Sequence, residues 1–171
     1  MKVLKFGGSS VKSADRIQNV INILKTYHER GDKFTVVFSA FGGVTDMLIN
    51  MSKAAILGDN SFEPLFEEYK KRHTDVIEVL VTGKNRDAVD AKIKKRFENL
   101  HDILTGLNLI KDLTPRTLDY VVSFGERNSA FIIANALDEQ GVPAEFLDAR
   151  KVLRTDDQYG GAKVDLSLIH I

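Results

Sequence analysis

The chain has 171 residues, 43% of them hydrophobic and 28% charged, which suits one globular domain or a large piece of one and excludes a disordered chain. Lys plus Arg and Asp plus Glu number 24 each, so the charge balance gives no reason to expect nucleic acid or a membrane surface as partner. There is no cysteine, which excludes disulfides, thiolate metal sites and a cysteine nucleophile.

Val3–Phe6 is a short apolar run closed by Gly7-Gly8, a pattern that predicts a buried strand ending in a tight turn. Ile17, Val20, Ile21, Leu24 and Tyr27 then share one helical face, with the helix starting near Ser13 and Gly31 as its stop. Phe34–Phe38 is β-branched and aromatic and predicts a second strand. It runs into a second glycine turn, Ser39–Gly43, after which Val44–Leu57 is again helical. Strand, glycine turn, helix, repeated, predicts parallel pairing in an α/β fold. Ligands of open α/β sheets bind beyond the carboxyl ends of the strands. Both glycine turns lie there, so they are expected to share one site.

The middle of the chain is helical. Phe62, Leu65, Phe66, Tyr69, His73, Val76, Ile77 and Leu80 follow the helix period, with Ser61 as the expected cap. Gly83 breaks the pattern, and Ile93, Phe97, Leu100, Ile103, Leu104 and Leu107 form a second amphipathic stretch. The two are expected to pack as a helical insertion over about residues 61–113. Thr114-Pro115 predicts an N-cap followed by proline at the first helical position. Leu118–Phe124 fits helix or strand equally, and Ser129–Leu137 is helical up to Gly141 and Pro143. Ala144–Leu147 predicts a third strand ending at Asp148, and Gly160-Gly161 a turn. The Leu- and Ile-rich end, Lys163–Ile171, should bury itself against something. With about three strands expected for this length, the simplest expectation is a piece of a longer chain. No apolar run reaches the roughly 18–20 residues that span a bilayer, and the N-terminus has no signal-peptide core; a cytoplasmic location is expected.

Three clusters carry chemistry. In Lys5-Phe6-Gly7-Gly8-Ser9-Ser10 two glycines let the backbone approach a bulky anion, a lysine supplies charge, hydroxyls supply donors and a helix N-terminus follows. Phosphate is the natural ligand, although the order is neither that of a P-loop nor GxGxxG, and an ordinary strand-to-helix turn is an equally good reading of this segment alone. In Ser39-Ala40-Phe41-Gly42-Gly43-Val44-Thr45-Asp46 the hydroxyls could hold a small acidic substrate, while capping by Thr45 or Asp46 is the slightly better local reading. In Ser123-Phe124-Gly125-Glu126-Arg127-Asn128-Ser129 a Glu-Arg pair could grip an ammonium and a carboxylate or phosphate; alone, a surface ion pair at a helix start is the better reading. His28, His73, His101 and His170 have no partners at metal-ligand spacing, so no metal ligand is expected among them.

Taken together and in this order, the clusters resemble the aspartate kinases of the amino-acid kinase superfamily. The resemblance rests on Lys5–Val11, on Val36–Ala40 with Thr45-Asp46-Met47-Leu48, on Ser123–Ala130 and on Phe146-Leu147-Asp148-Ala149, and it extends to about Asp165. It implies a parallel-sheet α/β sandwich of the carbamate kinase-like type, of which this chain would be the N-terminal lobe. It also implies that Lys5 contacts the transferred phosphoryl group and that Gly7, Gly8 and Ser9 hold ATP phosphates. Ser39, Ala40 and Thr45 would line an aspartate site, Glu126 would bind the substrate amino group, and Arg127 would touch or support that site. The implied reaction is ATP plus L-aspartate giving 4-phospho-L-aspartate and ADP, with Mg²⁺ carried by the nucleotide and a homo-oligomeric full-length protein. The family's second glycine-rich segment, its adenine pocket and its regulatory domains have no counterpart in these residues, so the chain alone is expected to be inactive. Ile103–Leu109 is similar to aspartate kinases fused to homoserine dehydrogenase. Two alternatives stand beside this one: another kinase of the superfamily, acting on acetylglutamate, glutamate, carbamate or UMP, and a non-catalytic substrate-binding module.

Overall fold

The computed structural model describes residues 1–166; the expectations for His170 and for the last residues of Lys163–Ile171 lie outside them. β1 (Lys2–Phe6) and β2 (Phe34–Phe38) pair in parallel, with Lys2 opposite Phe34 and Phe6 opposite Phe38. α1 (Ala14–Glu29) connects them, as parallel strands require. Leu4, Phe6, Phe34, Val36 and Phe38 turn to the core, while Val3 and Val37 stand exposed on the other face.

α2 (Val44–Ala55), α3 (Glu63–Leu80), α4 (Arg86–Ile110) and α5 (Pro115–Glu139) complete the α-helices of the described residues, followed by a 3₁₀ turn, Ala149–Lys151. α2 packs against α3, α4 and α5, and α5 also reaches β2 and α1. A single cluster runs through all of them, with Phe41, Phe62, Tyr69 and Phe124 fully buried. Each fully buried side chain of this size contributes on the order of 1.5–3 kcal/mol. No helix among the described residues is long and apolar enough to cross a membrane.

Thr114 caps α5 as expected, its hydroxyl accepting the Thr117 N–H at 3.2 Å with Pro115 behind it. Four expectations are corrected. Leu118–Phe124 and Ser129–Leu137 belong to one unbroken helix, so Ser123–Ser129 lies mid-helix and not at a helix start. Ser61 does not cap α3; its hydroxyl donates to the Ala54 carbonyl at 3.3 Å, and Pro64 sits in the first turn instead. Neither Thr45 nor Asp46 caps α2, because the helix already begins at Val44, with Gly43 at the N-cap position. The third strand at Ala144–Leu147 does not form. A strand needs a ladder partner, and the described sheet has only β1 and β2. The segment is held by Phe146 instead, edge-on to Phe131 at 5.7 Å and 5.1 Å from the Arg96 guanidinium.

A buried polar chain ties α3, α4 and α5 together. Arg96 Nη1 donates to the Arg127 carbonyl at 2.7 Å and to Asn128 Oδ1 at 3.1 Å, and Asn128 Nδ2 donates to the Tyr69 hydroxyl at 2.9 Å. Burial draws the Arg96 pKa down to about 10 and pushes that of Tyr69 up, so the tyrosine stays a neutral hydroxyl.

Candidate active site

The two glycine turns meet. The Ser39 N–H donates to the Phe6 carbonyl at 3.0 Å, extending the ladder past both strand ends. Ser10 N–H then closes the first turn onto the Gly7 carbonyl at 2.9 Å. A methyl group at Gly8 would lie 3.6 Å from the Ala40 carbonyl and 4.0 Å from Ser39 Oγ. Those are ordinary contact distances, so the protein itself would tolerate a side chain there. What a side chain would remove is the space between the turns, where a ligand's oxygens could reach backbone N–H groups.

The second turn is more constrained. A methyl at Gly42 would fall 2.8 Å from Lys12 Cγ and 3.2 Å from the Gly8 carbonyl. Gly43 has a left-handed φ of 84° as it enters α2. Thr45 lies in the first turn of that helix, where free N–H groups favour an anion.

α5 closes the arrangement from the other side. Gly125 brings the helix so near the second turn that a methyl there would stand 2.8 Å from Ala40 Cβ, 3.3 Å from Leu48 Cδ1 and 3.5 Å from Val44 Cγ1. One turn on, the Ser129 hydroxyl donates to the Ser39 carbonyl at 2.7 Å. The structure therefore brings Gly8, Ser39, Ala40 and the Gly125–Ser129 stretch together across about 120 residues of sequence. Glu126, beside them on α5, is half-buried and makes no ion pair among the described residues.

Lys5 is exposed, and its amine lies 3.6 Å from where a Gly7 methyl would stand, folded over the turn. Arg127 points elsewhere. Its guanidinium lies 3.3 Å from Asp148 and 5.1 Å from the Phe124 ring centroid. Arg150 holds the same carboxylate with two bonds of 3.0 and 2.7 Å, which takes the Asp148 pKa down to about 2. Burial and the nearby Arg150 charge lower the pKa of Arg127. Arg127 thus belongs to the cluster under the α5–Asp148 junction, at one remove from the turns.

Between the turns opens a cleft of about 560 Å³ lined by Gly8, Ser9, Lys12, Gly42, Gly43 and Arg72. The sequence patterns single out Gly8 and Ser9 for this cleft and pass over Lys12 and Arg72. Lys12 follows the first motif directly, and that adjacency was its only signal. Arg72 arrives from α3, 60 residues away, and no local pattern marks it. A second cavity, of about 490 Å³, lies between α5 and residues 150–162 and contains none of the expected phosphate-site residues.

Residues 1–168 match the model of the amino acid kinase family. The chain belongs to this family. It is similar to Aspartokinase 2, chloroplastic, of Arabidopsis thaliana, with 35% identity over 160 residues that cover 91% of this chain and 28% of the relative. It is also similar to the lysine-sensitive aspartokinase 3 of Escherichia coli, 27% identical over 167 residues, covering 98% of this chain and 35% of the relative. A bifunctional aspartokinase/homoserine dehydrogenase of Zea mays matches at 29% over 151 residues, 88% of this chain and 16% of the relative. In structure it resembles E. coli aspartokinase III in complex with aspartate and ADP, with a TM-score of 0.85, 26% identity and coverage of 99% of this chain and 36% of that one. The chain thus spans about a third or less of the length of these aspartokinases. The amino-acid kinase fold expected from the ordered motifs is present, here as α/β with a small parallel sheet.

Proposed function

We propose that this chain is the N-terminal lobe of an aspartate kinase, which transfers the γ-phosphoryl group of ATP to the side-chain carboxylate of L-aspartate. The observation that carries the proposal is that the two glycine turns meet at one cleft and that the Gly125–Ser129 stretch of α5 packs directly on the second of them. The relatives named above are aspartokinases or carry an aspartokinase part, and one aspartokinase of similar structure is in complex with aspartate and ADP.

In this reading Gly7, Gly8 and Ser9 hold phosphate oxygens through backbone N–H groups and a hydroxyl. Lys5 neutralises charge on the group in transfer. Ser39, Ala40 and Thr45 line the acceptor, and the unpaired Glu126 carboxylate takes its ammonium. Arg127, tied to Asp148, positions α5 and does not touch the acceptor. A carboxylate is already nucleophilic at neutral pH, so the protein supplies position and charge and no strong base. In this reading Mg²⁺ takes its ligands mainly from the nucleotide, whose charge it helps to neutralise.

The test is aspartate-dependent ADP formation, with the acyl phosphate trapped by hydroxylamine. It is run on the product of the complete reading frame and on the 171-residue chain. Turnover is expected in the former, abolished by Lys5→Gln, with little in the latter. Turnover with acetylglutamate or carbamate in place of aspartate would refute the substrate assignment.

A further inference from the structure

We propose that Arg72, on α3, and Lys12 form a cationic wall of the glycine cleft and bind the phosphate chain of the nucleotide in addition to Lys5; this rests on reading the cleft as the phosphate-handling end of the site.

Of the residues that line the cleft, those with polar or charged side chains are Ser9, Lys12 and Arg72, and no acid is among them. Lys5, Lys12, Arg16 and Arg72 surround the first turn, and none has a carboxylate within 4.0 Å among the described residues. Elsewhere the chain pairs its cations readily: Lys70 with Glu67, Lys71 with Asp75, Arg86 with Asp90, Arg150 with Asp148. A chain of zero formal net charge therefore gathers unpaired positive charge around one glycine-lined opening. Such a concentration raises the local density of anions.

Arg72 is also under-bonded. One amine, Nη2, donates a long bond of 3.4 Å to the Lys12 carbonyl. Its Nε is sealed from solvent and has no partner. A buried charged donor without an acceptor is costly, and native structures rarely keep one without a role. The guanidinium carries five donors in a planar fork that suits phosphate oxygens. Its place is fixed from behind. The neighbouring His73 ring lies 5.2 Å from the Phe41 ring of the second turn, which seats α3 against that turn. Lys12 is pinned in the same way, its stem pressed on Gly42 while its amine stays free. A single carboxylate would match one of these cations; a nucleotide phosphate chain, with several negative charges, matches the set.

The experiment is calorimetric titration of the 171-residue chain with inorganic tripolyphosphate, ATP and L-aspartate. Tripolyphosphate and ATP are expected to bind. Arg72→Gln should weaken both by about tenfold or more, and Lys12→Gln and Arg72→Lys by smaller factors. Lys71→Gln, which removes a solvent-facing pair with Asp75, should change nothing. Circular dichroism and thermal melting establish that each variant folds; if Arg72→Gln does not, Arg72→Lys and Lys12→Gln decide. A wild-type chain that binds no tripolyphosphate overturns the proposal, and so does unchanged affinity in the folded variants. An Arg72→Gln defect confined to L-aspartate overturns it as well. If Lys5→Gln abolishes tripolyphosphate binding and Arg72→Gln does not, this inference fails while the kinase reading stands. If Arg72 is needed but the complete protein phosphorylates no aspartate, the kinase reading fails while this inference stands.

Discussion

Gly125→Ala tests the close approach of α5 to the second glycine turn. In a helix interior alanine is better than glycine by about 1 kcal/mol, so the substitution should stabilise α5 if nothing lay against it. Here the new methyl would stand 2.8 Å from Ala40 Cβ, with Leu48 and Val44 close behind. Ala40 Cβ is fixed to the backbone of a tight turn and cannot rotate away. Relief requires α5 or the turn to move, and overpacking of this kind costs about 1–3 kcal/mol. The net expectation is a loss of about 1 kcal/mol, or a fall in Tm of roughly 2–4 °C for a chain of this size. Urea and thermal unfolding measure it.

Ala40→Gly removes the opposing methyl. By itself it should also destabilise, since it deletes a buried methyl and loosens the turn. Combined with Gly125→Ala it should restore much of the loss, with a coupling of about 1 kcal/mol or more across the double-mutant cycle. A Gly125→Ala chain that gains about 1 kcal/mol, with no coupling to Ala40, would show that the propensity gain is unopposed and would refute this packing of helix on turn.

The other predictions concern the chain's support structure. His73 is fully buried, donates Nδ1–H to the Tyr69 carbonyl at 2.8 Å, and keeps Nε2 without a partner; burial lowers its pKa to about 4 from an ordinary value of 6.5. The unfolded chain therefore binds this proton first, so His73 costs no stability above pH 6.5 and the fold weakens as pH falls from 6.5 to 4, by about 3 kcal/mol at full protonation. Unfolding midpoints over that range should slope accordingly in wild type and flatten in His73→Phe; an equal slope in both would refute the assignment. Asn128→Ala leaves the buried Tyr69 hydroxyl without its donor and Arg96 with one acceptor fewer, and should cost about 3 kcal/mol in urea unfolding; a loss below about 1 kcal/mol would mean that the pair is met by water. Thr114→Ala removes the α5 cap and should cost about 1 kcal/mol, with Thr114→Ser near wild type.

What the residues revealed in advance follows their physics. β1, α1 and β2 were legible because each has a strong period and a glycine after it, and Thr114-Pro115 was legible because cap and proline act locally. The Ser123–Arg127 stretch was not, because a glycine usually reads as a helix break. Gly125 is helical for a tertiary reason, the approach of Ala40, which no window of sequence contains. The third strand was misread because Glu145-Phe146-Leu147 has strand-like residues but no described partner, and strand formation is a property of pairs. Arg72 was invisible for the same reason: on α3 it is one more polar residue of a helix rich in them, and only the fold places it at the cleft.

The connections around the cleft also bear on how it could work. A reaction that needs little more than position and charge depends on how rigidly the two reactants' holders are joined. The second turn, which carries Ser39 and Ala40, is fixed three ways: by the Phe6–Ser39 bond to β1, by the Ser129–Ser39 bond to α5, and by the Phe41–His73 ring contact to α3. Glu126 sits between Gly125 and Ser129 on the same clamped turn of α5, so it moves with Ser39 as one body. Lys5 has no such tether among the described residues, so under the proposed reading its exposed amine could follow a phosphoryl group from one partner to the other. Under that reading a clamped acceptor pocket lies beside an untethered charge, and this makes a specific claim. Loosening the clamp with Ser129→Ala should weaken L-aspartate binding while leaving tripolyphosphate binding within about twofold, because the anion cleft keeps its glycines, Lys12 and Arg72. Equal loss for both ligands would mean that the two halves of the cleft are not separable in this way.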